Sequence, residues 1–112
     1  MAASGILFLS RTAPLAMRSR DGIFTLTLLA YSRLAEHQVE PWRIHWSGEE
    51  ALYFWLSNED SLLPGMPLRA ELERIRSFTN GARNGRPEIH AVATHLALAP
   101  EAHSTLTSET RA

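Results

Sequence analysis

Two kinds of side chain set the chemistry open to this sequence: flat rings gathered in one stretch, and arginines. Residues Glu40–Trp55, EPWRIHWSGEEALYFW, hold all three tryptophans, Trp42, Trp46 and Trp55, with Tyr53 and Phe54 beside them. All 11 basic residues are arginine. In MPLRAELERIRSF, Arg74, Arg76 and Phe78 fall at alternate positions. On a strand that spacing puts two cations and a ring along one side. Such a set can grip a flat, anionic partner by stacking and by charge, without making or breaking bonds.

Bond-making chemistry has little to work with. The chain has no cysteine, so a thiol nucleophile, a thiolate zinc site and a disulfide framework are excluded. No G-x-S-x-G, G-x-x-x-x-G-K-[ST] or H-E-x-x-H pattern occurs. His90 and His95 are five apart, so within one strand they point to opposite faces and cannot share a metal. Glu49 and Glu50 open a helix, where they complement its dipole rather than form an acid/base pair. The sequence therefore predicts a protein that is not an enzyme and uses no metal or cofactor.

The elements that position these residues follow from period and punctuation. Gly5–Arg11 is a short apolar run read as a strand. Thr12–Gly22, with Pro14 and Asp21-Gly22, reads as a loop. Ile23–Ser32 alternates, with Phe24, Leu26, Leu28 and Ala30 on the predicted core side. Arg33–Val39 reads as a loop. In Glu40–Trp46, Trp42, Ile44 and Trp46 alternate with Arg43 and His45, which is strand period. Ser47-Gly48 breaks it, and Glu49–Leu62 reads as a helix whose apolar face is Ala51, Leu52, Trp55 and Leu56. Leu63-Pro64-Gly65 ends that helix. Met66–Phe78 is the fourth strand. Its apolar phase, Leu68, Ala70 and Leu72, slips at Arg74 and Arg76, which predicts a bulge or strong bend. Asn80–Gly85 (NGARNG) is a hairpin signal, and Arg86–Leu98 is the fifth strand.

Five strands with one α-helix between the third and fourth, and no βαβ rhythm, predict an all-β fold over residues 1–98, a small closed or partly closed barrel. The alternative, a plain β-sandwich, would want more strands than the sequence offers. Residues 99–112 read as a disordered tail. At 112 residues there is room for one domain and one core. Gly5–Leu9 is too short to span a membrane, and no targeting segment is read. With the missing cysteines this predicts a cytoplasmic protein with no membrane partner. Net charge is only −1, but the acids concentrate at Glu49, Glu50, Glu59, Asp60, Glu71 and Glu73, leaving room for a basic surface elsewhere.

In this order the elements resemble bacterial single-stranded-DNA-binding proteins of the OB-fold type. The matching stretches are GILFLSRTAPLAMRSRDGIFTLTLLAYSR, EPWRIHWSGEEALYFW, LLPGMPLRAELERIRSF and NGRPEIHAVATHLAL, roughly residues 5–98. The sequence departs from the family pattern in the short loop at Arg33–Val39 and in Leu34, which stands where an aromatic is usual. It departs again in a tail, ending TSETRA, that lacks the acidic, apolar-tipped end; in this it is similar to the tail-less primosomal OB protein. The resemblance implies a five-stranded OB-fold barrel that binds single-stranded DNA largely without sequence preference. It implies a homo-oligomer, dimer or tetramer, acting in replication, recombination or mobile-element maintenance, with proteins of those processes as further partners.

The resemblance also implies where a strand would lie. Trp42, Trp46 and Phe78 fall at or beside the family's stacking positions, and Tyr31 is a further ring. Arg74 and Arg76 would line the backbone track, extended by Arg18, Arg20, Arg33, Arg43, Arg83 and Arg86. Trp42 can be read as platform or as core. Trp46, near the strand end beside Ser47, is expected at the surface with Phe78, and Trp55 in the core. The rival reading is an interaction module whose exposed rings pack on a protein partner or on a second copy.

Overall fold

The computed structural model describes residues 2–35, 38–78 and 88–100. In chain order the elements are β1 Ala2–Leu9, β2 Leu15–Arg18, β3 Phe24–Ala35, β4 Gln38–Ser47, α1 Glu49–Asn58, a 3₁₀ turn Glu59–Ser61, β5 Pro67–Phe78 and β6 Glu88–Leu98. The order β1-β5-β6-β4-β3-β2 closes on itself, because Phe8 and Leu9 of β1 pair with Tyr31 and Ala30 of β3. Among the described residues all pairings are antiparallel except β4 with β6, which run parallel. Five strands thus form a ring, and β2 is added outside it on β3.

The sixth strand corrects the expected loop at Thr12–Gly22. Leu15–Arg18 pairs with Phe24–Thr27, an edge of β3 that β1 reaches only at Tyr31 and Ala30. Four residues are too few for a period to show in the sequence. The loop expected at Arg33–Val39 is also corrected, since β3 continues to Ala35 and β4 begins at Gln38, with a register shift between Arg33 and Ala35.

The alternation in β3 and β4 is borne out. Phe24, Leu26, Leu28 and Ala30 are buried, and Ile44 and Trp46 meet them from β4. Leu7 and Leu9 of β1, Leu68, Ala70 and Leu72 of β5, and Ala91, Ala93 and Leu96 of β6 complete the core. Ala99, expected in the tail, is fully buried, and its N–H donates to the Pro67 carbonyl at 2.9 Å. Pro100 is exposed, and residues 101–112 lie outside the described part, as does the hairpin signal Asn80–Gly85.

α1 closes one end of the core, but with a different face from the one expected. Ala51 and Phe54 are buried, Leu52 and Trp55 only partly, and Leu56 is 62% exposed. The entry turn anchors the helix. Gly48 takes φ 109°, open to glycine and costly for other residues, while its N–H donates to the Phe24 carbonyl and its carbonyl accepts from Leu52 N–H. α1 is thereby tied to the start of β3, and Phe54 faces Trp46 with ring centroids 5.5 Å apart.

The expected slip in β5 is present and resolves differently. Register shifts fall between Glu71 and Leu72 and between Glu73 and Arg76, and Arg74 has φ 52°. A single left-handed residue re-phases the strand. Ile75, not Arg74 or Arg76, then packs on the core side after Leu72, and both arginines are exposed.

Candidate nucleic-acid interface

Where β4 and β6 pair in parallel, their outward side chains make one polar strip. Arg43 of β4 is in register with His90 of β6, and His90 with Arg76 of β5. Register partners share a face, so Arg43, His90 and Arg76 form a row across three strands. On β3 the same outer face carries Thr27, Leu29 and Tyr31, partnered with His45, Arg43 and Pro41. Tyr31 stacks on Phe8 of β1, centroids 5.6 Å apart and planes 26° apart.

Polar contacts hold the strip in place. Glu88 Oε1 accepts from Arg43 Nε at 3.1 Å and from His90 Nε2 at 2.8 Å. An ionised carboxylate only accepts, so Nε2 of His90 carries the proton of that bond. Thr27 Oγ1 lies 3.1 Å from His45 Nδ1, and Thr25 Oγ1 lies 2.9 Å from Ser47 Oγ. Among the described residues, no three His, Asp or Glu side chains are grouped to hold a metal.

The strip also sets two titrations. Partial burial, then the nearby His90 and Arg43, lower the His45 pKa from its ordinary 6.5. Partial burial raises the Glu88 carboxyl, but the hydrogen bonds and charges of His90 and Arg43 outweigh it and leave the carboxyl below 4.5. With its folded pKa lowered, His45 takes up a proton more readily in the unfolded chain. Its stabilising contribution is therefore complete above pH 6.5 and is lost as pH falls from there toward the folded value. The other groups facing it are Thr27 on β3, Arg43 on β4, His90 on β6 and, one strand further, Glu73 on β5. Thermal melts from mildly alkaline to mildly acidic pH are expected to show this decline, and His45→Gln to flatten it; an equal decline in the variant would assign it to other groups. The Glu88 contribution is present above 4.5 and goes only as pH falls through its lower folded value.

The ring and cation positions read from the sequence divide between this strip and other places. Tyr31, Arg43 and Arg76 lie on it. Arg74 is exposed at the bulge beside it. Arg18 and Arg20 are exposed on and after β2, where Arg18 Nη1 donates to the Gly22 carbonyl at 2.9 Å. Phe78 reaches the strip by its backbone, paired with Glu88; its side chain and that of Arg33 lie outside the described part, as do Arg83 and Arg86. Trp46 is a correction: expected at the surface, it is 5% exposed and belongs to the core. Trp42 lies on the inner side of the sheet, away from Arg43. It is half-buried, with Nε1 donating to Ser32 Oγ at 2.9 Å, and with Gly5, Ile6 and Leu72 it walls a groove of about 170 Å³. Trp55, expected in the core, is packed against it but only partly buried.

Sequence reasoning missed His45, Glu88 and His90. A signal was there: Arg43 and His45 alternate with Ile44, and Glu88 and His90 with Ile89 and Ala91. What joins the two runs is the parallel β4–β6 pairing, which lies between elements more than forty residues apart.

No protein-family model matches the sequence, and no curated protein matches it. Solved structures do match by shape. The SSB domain of a Synechococcus sp. protein aligns with TM-score 0.59 at 11% identity, over 85% of this chain and 91% of that one. A mitochondrial single-stranded DNA binding protein of S. cerevisiae aligns with TM-score 0.61 at 12% identity, over 87% and 91%. A small single-stranded DNA-binding protein from Streptomyces coelicolor aligns with TM-score 0.59 at 13% identity, over 91% and 94%. The chain shares the fold of these proteins, and the resemblance read from its sequence holds at that level.

Proposed function

We propose that this chain binds single-stranded DNA, without catalysis and largely without sequence preference, on the outer face of β3, β4, β6 and β5. The observation that carries this reading is the row Arg43–His90–Arg76, flanked by Tyr31, on a fold shared with single-stranded DNA-binding proteins. Two arginines spaced across the sheet, with a histidine between them, suit a phosphate backbone, and a ring beside them suits an unstacked base. Binding would protect or present single strands in replication, recombination or mobile-element maintenance, in a homo-oligomer that joins several short sites.

A second reading is supported by exposed apolar side chains away from the strip. Tyr53 is 68% exposed, and it lies one helical turn from the exposed Leu56 on α1. This face would suit a protein partner or a second copy. Fluorescence anisotropy of labelled oligo-dT at low and moderate salt separates the two. Strand binding is expected at low salt, weakening with log salt by about 0.7 per phosphate neutralised. No binding by folded protein at low salt would leave the interaction module as the better reading.

A further inference from the structure

The centre of the strip already holds an anion. Glu88 Oε1 sits between Arg43 Nε and His90 Nε2, at 3.1 and 2.8 Å, with Arg76 in register next to His90. A carboxylate oxygen and a phosphate oxygen make the same demand on such donors, two charge-assisted N–H bonds. The site is also reachable: the side chains of Arg43, Glu88 and His90 are 40%, 31% and 34% exposed. At that exposure an ion pair is held weakly, so one anion can replace another at small cost.

We infer that Glu88 is the resident occupant of a phosphate seat made by Arg43, His90 and Arg76, and that a nucleic-acid phosphate takes the seat by displacing the Glu88 carboxylate. The identity of the incoming anion rests on the strand-binding reading above. The device has a consequence for selectivity. Glu88 is tethered beside the seat and competes at high effective concentration. A free phosphate ion must beat it alone, whereas a strand held at neighbouring points brings its next phosphate at a comparable effective concentration. Glu88 therefore biases the face toward long polyanions and holds off single phosphates. The other charged or titratable groups nearby are Glu73, partnered with Val92 one step along β5 and β6, His45, partnered with Val92 from β4, and Arg74, exposed at the bulge of β5.

The test compares wild-type and Glu88→Gln protein with labelled oligo-dT at low salt. Glutamine keeps the shape and an acceptor for Arg43 but removes the charge. The variant is expected to bind about fivefold more tightly, the scale of one exposed ion pair, and its binding to be more easily competed by inorganic phosphate. Wild-type binding with no tightening in the variant would overturn the seat and leave strand binding standing. Binding by the variant alone would support the seat and overturn strand binding by the native chain. Binding by neither would overturn both. Should the variant fail to fold, the wild-type protein decides through the carboxyl-carbon resonance of Glu88. It is expected to move when oligo-dT is added, and a fixed resonance in a saturated complex would overturn displacement.

Discussion

Replacing Trp46 with alanine is expected to cost about 3–5 kcal/mol of folding stability, as truncation of a large core ring does. The ring is almost wholly enclosed, tilted at 55° against Phe54 of α1 and edge-on to His95 of β6 with centroids 6.2 Å apart. It is one of the contacts through which the helix closes the ring of strands, so the cavity left behind would undermine both. Against a total of about 5–15 kcal/mol for a small domain, that is a large share. Thermal or urea melts measure it directly. Trp42→Ala is the comparison: its ring is half-buried and its indole bond to Ser32 is partly open to solvent, so its loss should be clearly smaller. A Trp46→Ala protein that melts within a few degrees of the parent, yet loses strand binding, would return this ring to the surface and to the binding face.

The two tryptophans show what the sequence could say and what it could not. Alternation in β4 correctly set Trp42, Ile44 and Trp46 on one side and Arg43 and His45 on the other. Period two gives the sides, but not which side is inner at a given position along the strand. That depends on what arrives from elsewhere, here Phe54 over Trp46 and the first half of β1 beside Trp42. The buried face of α1 is hidden from the sequence for a similar reason. Composition gives a helix, but several faces carry apolar residues, and which one is buried depends on how the chain enters the helix at Gly48, bonded to Phe24, and on Trp46 waiting for Phe54. In β5 the slip was visible as a broken pattern, while its remedy, one left-handed residue at Arg74, is a backbone choice that no side-chain pattern encodes. Glu88 and His90 gave local alternation and nothing more. Their meeting with Arg43 needs the parallel pairing of β4 and β6, and parallel neighbours are the pairing that sequence order suggests least.

Loss of Arg43 and Arg76 together is expected to weaken oligo-dT binding at least about 25-fold at 0.1 M salt and to lower the salt slope by about 1.4, the counterion release of two single-strand phosphates. The single variants should not be equal. Arg76→Ala removes one cation from the row. Arg43→Ala removes one cation and also leaves the Glu88 carboxylate without one of its two partners, on the face where phosphates must approach. Arg43→Ala should therefore cost more affinity than Arg76→Ala, although each takes about 0.7 from the slope. Adding Glu88→Gln to Arg43→Ala should recover the excess and leave that protein binding at least as tightly as Arg76→Ala. Both arginines are exposed or partly so, and neither belongs to the core, so melting temperatures should stay near the parent's and any change in binding can be read as charge. Salt titrations of the four proteins decide it. An unchanged slope in the double variant would take the row out of the phosphate track, and the exposed Arg74, Arg18 and Arg20 would then be the next cations to test.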